Sequence, residues 1–223
     1  MSCYSIIANS PYANFSDFFE NTDLLHKNII LLDGAANHFE GFDILPTSII
    51  GDMDSINESS KNYFRSKGVC IIEIVDQDTT DLEKAIVLCK EDESLKTINI
   101  YNALGGRLDH SMLNLRLLKK HYSSRYEIIL FSKSEKVIFL RDCHIVLKGK
   151  RNDRVALLSF THATITSNGL LYEMDGYKLE FAVNESTSNF LNNESAALSI
   201  KGDALLIVDK NIEYFRRCLT TTD

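Results

Sequence analysis

The sequence predicts an α/β fold with two parts: an N-terminal, mostly parallel sheet flanked by helices, then a C-terminal all-β sandwich domain. Up to about residue 132, short apolar runs alternate with stretches of helical period, the mark of a layered α/β structure. From about residue 136 the chain changes to short β-rich pieces parted by Gly, Asn and Asp. A boundary near residues 133–142 follows, giving domains at 1–134 and 135–223.

In the first domain, six aliphatic runs too short for buried helices read as strands: residues 4–9 (YSIIAN), 28–33 (NIILLD), 47–52 (TSIIGD), 69–75 (VCIIEIV), 97–104 (TINIYNAL) and 126–131 (YEIILF). Helices fill the gaps at 16–27, 57–68, 80–92 and 109–122, and Gly68 stands where a helix commonly closes in the left-handed conformation. The third helix opens on Thr80 with Glu83 three residues on, a capping box, and Leu82, Ala85, Ile86 and Cys89 share its core face. In the second domain the strands are KVIFL (136–140), HIVLKG (144–149), RVALLSF (154–160), ATITSN (163–168), YKLEF (177–181), AALSIKG (196–202) and ALLIVD (204–209). No helix of convincing length is expected there until the last dozen residues.

Of 223 residues, 44% are hydrophobic and 25% charged, an ordinary balance for a chain that buries a core. A formal net charge of -7 weighs against nucleic-acid partners, which require clustered Lys and Arg. A small anion can still bind if metal ions accompany it. The five cysteines contain no CxxC pair and read as reduced packing thiols. The start, MSCYSIIANS, lacks a basic segment followed by a long apolar one, and no apolar run approaches the ~20 residues of a membrane helix. A cytoplasmic protein without a membrane partner is expected.

The informative feature is acid at strand ends. Asp52 and Asp54 follow the third strand in SIIGDMDS, where extended alternation would point both side chains the same way. Asp33 follows the second strand in LLDGAAN, next to a permissive glycine, and Asp78 and Asp81 lie in DQDTTD before a helix. Asp81 takes the first helical position, where the free N–H groups favour its ionised form. Ligands of open α/β sheets sit outside the carboxyl ends of the strands, so Asp33, Asp52, Asp54, Asp78 and Asp81 should converge on one crevice. Such crowding is better explained by a bound cation than by acid–base chemistry alone, and Mg²⁺ with a polyphosphate is the implied pairing.

A fourth strand end, NALGGRLDHSMLN, brings the opposite charge. Gly105 and Gly106 permit a tight turn, Arg107 offers a planar fork to phosphate oxygens, and a helix begins near Asp109 with its N–H groups outward. Lys84 either faces phosphate or pairs with Asp81 three residues earlier; both explanations stand equally. DMDSINESS is not an EF-hand loop, since Asn57 replaces the required glycine, and the chain has no GxxxxGK[ST] stretch. His26, His38, His121, His144 and His162 show no metal spacing and read as structural or surface residues. Ser111 lacks an evident base partner.

Taken together and in order, DGAAN, GDMDS, DQDTTD followed by Lys84 and Ala85, and GGRLDHSMLN make the chain resemble the thiamine pyrophosphokinase family over essentially its whole length. The resemblance implies transfer of a diphosphate from ATP to the hydroxyl of thiamine, giving thiamine diphosphate and AMP, by an α/β nucleotide domain and a β-sandwich that binds thiamine and forms a homodimer. It implies that Asp52, Asp54 and Asp81 hold Mg²⁺. Asp33, Asn37, Arg107, Asp109 and His110 would line the ATP side, and Gln77 and Asp78 would stand near thiamine. Segments GLLYEM and STSNF add Tyr172, Ser188 and Asn189 as thiamine contacts. Some relatives place a tryptophan against the thiamine rings; this chain has none, and Tyr172 would supply the aromatic face. The reaction implied is attack of the hydroxyl on the β-phosphorus, with Asp52, Asp54, Asp78, Asp81 and Arg107 as the catalytic set and Asp78 or Asp81 as candidate proton acceptor. Two rival readings are a nucleotide-sugar transferase using the DMD pair, which leaves DQDTTD and GGRLDH without a role, and a noncatalytic nucleotide or vitamin sensor.

Overall fold

The structure is a computed structural model that describes residues 2–10, 28–40, 42, 44–76 and 78–219. The helix expected at 16–27, His26 and Gln77 lie outside the described residues. The chain divides into two compact units, Met1–Ser132 and Lys133–Asp223.

The first unit is a parallel sheet. Its strands are β1 (Ser2–Ile7), β2 (Asn28–Leu32), β3 (Ser48–Gly51), β4 (Cys70–Glu73), β5 (Leu95–Tyr101) and β6 (Glu127–Phe131), in the order β6-β5-β1-β2-β3-β4. From β1 the chain steps outward through β2 and β3 to β4, then returns to the far side of β1 for β5 and β6. The direction of winding therefore reverses between β1 and β5, and a crevice opens at such a reversal, at the carboxyl ends of the strands. On one face Ile29, Leu31, Ile49 and Phe64 form a core cluster with Ala35, Ala36 and Phe39.

Helices α1 (Glu58–Ser66), α2 (Asp81–Cys89) and α3 (Leu108–Lys120) are placed by local chemistry. Asn57 caps α1, its side-chain oxygen accepting from Ser60 N at 2.8 Å, and Gly68 closes the helix at φ 78°. Thr80 caps α2 by accepting from Glu83 N at 3.3 Å, and Leu82, Ala85, Ile86 and Cys89 are buried as their spacing predicts. Leu82 and Ile86 each contribute roughly 1.5–3 kcal/mol by that burial. The capping box is only half made. The Glu83 carboxylate turns away to accept from His121 Nε2 at 2.9 Å and from Lys120 Nζ at 2.5 Å, tying α2 to the end of α3. Asn114, nearly two turns into α3, donates from Nδ2 to Ala103 O at 2.7 Å and fixes the helix to the end of β5.

The second unit is β-rich: β7 (Glu135–Lys148), β8 (Arg154–Leu158), β9 (His162–Asn168), β10 (Tyr177–Glu180), β11 (Ser186–Phe190), β12 (Ser195–Asp209) and β13 (Glu213–Cys218). Its spine is the antiparallel pair β7–β12. One half of β12 also carries β9 and then β10, and the other half carries β8 and then β11, so two sheets share the longest strands. The sequence signals split this spine wrongly: KVIFL and HIVLKG are one strand, as are AALSIKG and ALLIVD. The Asp and Gly read there as turns form a bulge instead, with Asp142 at φ 40°, Gly202 at φ 88°, and Gly202 N donating to Asp142 Oδ1 at 2.8 Å. The helical hint at the end of the chain is likewise corrected, because residues 213–218 pair antiparallel with β7 as β13. Strand β11 went unread, since STSNF has almost no apolar alternation. Among the described residues no helix is long and apolar enough to cross a membrane.

Candidate active site

A cleft of about 500 Å³ lies in the first unit where the sheet reverses. Every strand from β1 to β5 sends residues into it: Asn9 after β1, Asp33 after β2, Asp52 after β3, Asp76 and Asp81 after β4, and Asn102 and Arg107 after β5. Lys84 and His110 complete the polar wall.

Asp33, Asp52 and Asp81 each offer a carboxylate oxygen, and these oxygens all lie within 4.8 Å of one another. Asp33 is 4% exposed and sits at φ 37°, ending β2 abruptly so that its side chain turns inward. Its two oxygens accept from Ser55 N and Ile56 N, both at 2.9 Å, and hold the loop that bears Asp52 and Asp54. Asp54 is exposed beside Asp33 and Asp52. The closeness of Asp52 and Asp54 does not come from extended alternation: β3 ends at Gly51, and Met53 between them takes φ 63°, so a tight turn gathers the pair.

Electrostatics follow from this crowding. Burial raises the Asp33 pKa, with neighbouring Asp54 and Asp81 adding to the rise and the two loop N–H groups opposing it. Burial also raises Asp81, helped by Asp52 and Asp54 and opposed by Lys84, whose Nζ donates to Asp81 Oδ1 at 3.1 Å and to Ile74 O at 2.9 Å. Exposed Asp54 is lowered, chiefly by the Ser55 hydroxyl at 2.7 Å. One buried lysine does not balance these acids. An all-oxygen donor set whose members resist ionising together suits a hard divalent cation.

Gly105 and Gly106 take the left-handed turn expected of them, at φ 81° and 90°, whereas Gly51 and Gly34 make room rather than turns. A Cβ on Gly51 would stand 2.7 Å from Asp33 Cβ and 3.0 Å from Asp81 Oδ2, so the bare backbone is what lets two carboxylates approach β3. Gly34, expected as a permissive turn residue, serves the same end: a Cβ there would meet Asn9 Nδ2 at 2.4 Å, and its φ is not left-handed.

The remaining candidates divide. Arg107 and His110 line the cleft. The Arg107 guanidinium is engaged as a fork on Asp109, Nε to Oδ1 at 3.1 Å and Nη2 to Oδ2 at 2.6 Å, with both side chains largely exposed. That pairing lowers the Asp109 pKa to about 2 and raises Arg107. Asn37 is turned from the cleft: its Nδ2 donates to Ser55 O at 2.9 Å and its Oδ1 accepts from Asn57 N at 3.0 Å, so it braces the acidic loop. Asp78 also lies outside the cleft walls, on an exposed turn organised by Asp76, which accepts from Asp78 N at 2.9 Å and from the Thr79 hydroxyl.

In the second unit Tyr172 is 64% exposed while Asn189 is 2% exposed. Asn189 is spent on the backbone of Tyr172, accepting from its N at 3.0 Å and donating to its O at 2.8 Å, so it presents the tyrosine instead of reaching a ligand itself. Ser188 is exposed at φ 59° on the bulge of β11.

Sequence reasoning missed Gly51, Asn9, Asp76, Asn102 and Asn114. Asn102 is left-handed at φ 56°, with its amide nitrogen buried and without a partner among the described residues. For Gly51 a signal existed: a glycine caught between an apolar strand and an acidic pair.

The comparisons agree with this layout. Residues 20–130 match the family model "Thiamin pyrophosphokinase, catalytic domain", and residues 143–207 match "Thiamin pyrophosphokinase, vitamin B1 binding domain". Thiamine pyrophosphokinase 3 of Oryza sativa subsp. japonica is 32% identical over 174 residues, covering 73% of this chain and 64% of its own length; the chain thus spans just under two thirds of that relative. Thiamin pyrophosphokinase 1 of Caenorhabditis elegans is 27% identical and is covered over 90% of its length by 93% of this chain. The crystal structure of thiamine pyrophosphokinase from Bacillus subtilis superposes with a TM-score of 0.80 at 22% identity, over 94% of this chain and all of that one, and so shares the fold. With the catalytic and vitamin-binding matches laid in order on an α/β unit and a β-rich unit, the chain belongs to the thiamine pyrophosphokinase family.

Proposed function

We propose that this chain transfers a diphosphate from ATP to the hydroxyl of thiamine, giving thiamine diphosphate and AMP. The observation that carries the reading is the convergence of Asp33, Asp52 and Asp81 in the cleft where the sheet reverses, with Gly51 bare to admit them. These residues fit Mg²⁺, held by Asp52 and Asp81 with Asp54 at the rim. When bound, the ion would neutralise charge on phosphate oxygens.

The chain's own groups do the rest. Asp33 anchors the acidic loop and keeps its two neighbours at ligating range. Lys84 holds Asp81 and the backbone of Ile74, and its third proton is available to a phosphate oxygen. Arg107 exchanges Asp109 for phosphate, and His110 flanks the nucleotide at the start of α3. Asp81, which lines the cleft but is engaged by Lys84, and Asp78, on the exposed turn beside it, are the two candidates to accept the hydroxyl proton. Positioning and electrostatics carry most of the acceleration in such transfers. Tyr172, presented by Asn189 with Ser188 beside it, is the aromatic contact assigned to thiamine, and Gln77 a further one. The assembly assigned is a homodimer acting in the cytoplasm, checked by a solution mass twice that of the chain.

Incubation with ATP, Mg²⁺ and thiamine tests the reading. AMP and thiamine diphosphate are expected, and Asp52→Asn should lower turnover at least ~10²-fold with the fold intact. Binding without turnover would establish a sensor instead, and turnover of a sugar nucleotide a transferase. Full activity in Asp52→Asn at ordinary Mg²⁺ would discard the metal assignment.

A further inference from the structure

Strand β13 lies against β7 with Cys218 directly opposite Cys143, and both thiols are free. Leu219 N donates to Asp142 O at 2.8 Å, so Leu219 and Asp142 form a hydrogen-bonded pair in this register. Pairs alternate along an antiparallel ladder, and the adjacent Cys218–Cys143 pair is therefore of the non-hydrogen-bonded kind, with Cα atoms about 4.5 Å apart and side chains closest. That separation lies within the range a disulfide spans, about 4.4–6.8 Å. Burial along the strands shows that the two side chains share a face: Cys143, Ile145 and Leu147 are buried, their partners Cys218, Arg216 and Tyr214 are half-buried, and the residues between are mostly exposed.

We propose that Cys143 and Cys218 form a reversible dithiol–disulfide pair that fastens β13 to the second unit when the protein meets a small oxidising disulfide. The half-buried Cys218 reacts first: its thiolate attacks the reagent, RSSR, forming a mixed disulfide and releasing RS⁻. Cys143 gives its proton to RS⁻ and then displaces the second RS⁻, which takes up the proton that Cys218 lost. Two thiols and RSSR become one disulfide and two RSH. Burial pushes the Cys143 thiol up to about 12, with Arg216 opposing, which assigns it the second step and leaves closure slow. The ring so closed encloses most of the second unit and none of the acidic cleft.

The test uses the full chain with exposed Cys3 and Cys70 replaced by serine, leaving Cys89, Cys143 and Cys218. After treatment with glutathione disulfide and unfolding, one free thiol should remain, and peptide mapping should join the segments bearing Cys143 and Cys218. The melting temperature should rise by about 5–10 °C and fall back with dithiothreitol. In Cys143→Ser the glutathione adduct should stay on Cys218 with no such rise. Three free thiols, a persistent adduct on Cys218 with Cys143 intact, or a link involving Cys89 would each overturn the proposal.

Discussion

Gly51→Ala probes the acidic cleft through a single methyl group. Gly51 does not need positive φ, so alanine suits its backbone, and without steric conflict the change would stabilise the protein by about 0.4–1 kcal/mol through the unfolded chain. The new Cβ instead falls 2.7 Å from Asp33 Cβ, about 1 Å inside carbon–carbon contact, and 3.0 Å from Asp81 Oδ2. Asp33 cannot swing aside without loosening its bonds to Ser55 N and Ile56 N. Overpacking of this kind costs about 1–3 kcal/mol, so the net sign reverses and the melting temperature should fall by roughly 2–10 °C. Because the displaced groups are the anchor Asp33 and the proposed ligand Asp81, kcat/KM for diphosphate transfer should drop ~10²-fold, and the Mg²⁺ concentration for half-activation should rise. Thermal unfolding and an Mg²⁺ titration of turnover are the assays. A variant more stable than wild type, with unchanged Mg²⁺ dependence, would refute the argument that bare backbone at residue 51 is what admits the acids.

Three further outcomes are expected. Arg107→Lys should raise KM for ATP or lower kcat about tenfold or more, since an ammonium lacks the fork, while the melting temperature stays essentially unchanged because the Asp109 pair is exposed; unchanged kinetics would remove Arg107 from the phosphate site. Asn189→Ala should destabilise the second unit by about 1–3 kcal/mol through three lost hydrogen bonds, two to Tyr172 and one from Phe190 N, and raise KM for thiamine with KM for ATP unchanged, and an altered ATP constant alone would contradict the placement of Tyr172. Burial lowers the His121 pKa, so its neutral form is favoured in the fold. Stability should then be full above about pH 6.5 and decline as pH falls below it towards the folded value, and His121→Gln should flatten that part of a melting-temperature profile.

The acidic site was readable in the sequence because Asp33 and Asp52 end aliphatic runs and Asp81 opens the helix that follows the next one, and a parallel sheet gathers such ends. What lay beyond reach was direction. Asn37 and Asn189 have the composition of ligand contacts, yet both spend their amides on loop backbone, a choice decided by partners distant in sequence. Glu83 reads as a cap, but His121 and Lys120, some 38 residues away, provide a stronger attraction than a helix N-terminus. In the second unit the bulge at Asp142 and Gly202 carries the same residues as a turn, and only pairing between strands distinguishes the two.

The fork between Arg107 and Asp109 has a consequence for selectivity. Asp109 is tethered two residues from the guanidinium and so competes as though present at about millimolar concentration or more. A free monocarboxylate of the metabolite pool offers the arginine nothing it does not already hold, whereas a triphosphate brings additional anionic oxygens. Built-in competition of this sort works as a threshold, sparing the cleft mouth from common organic acids and lessening the salt sensitivity of docking, because one anion departs as another arrives.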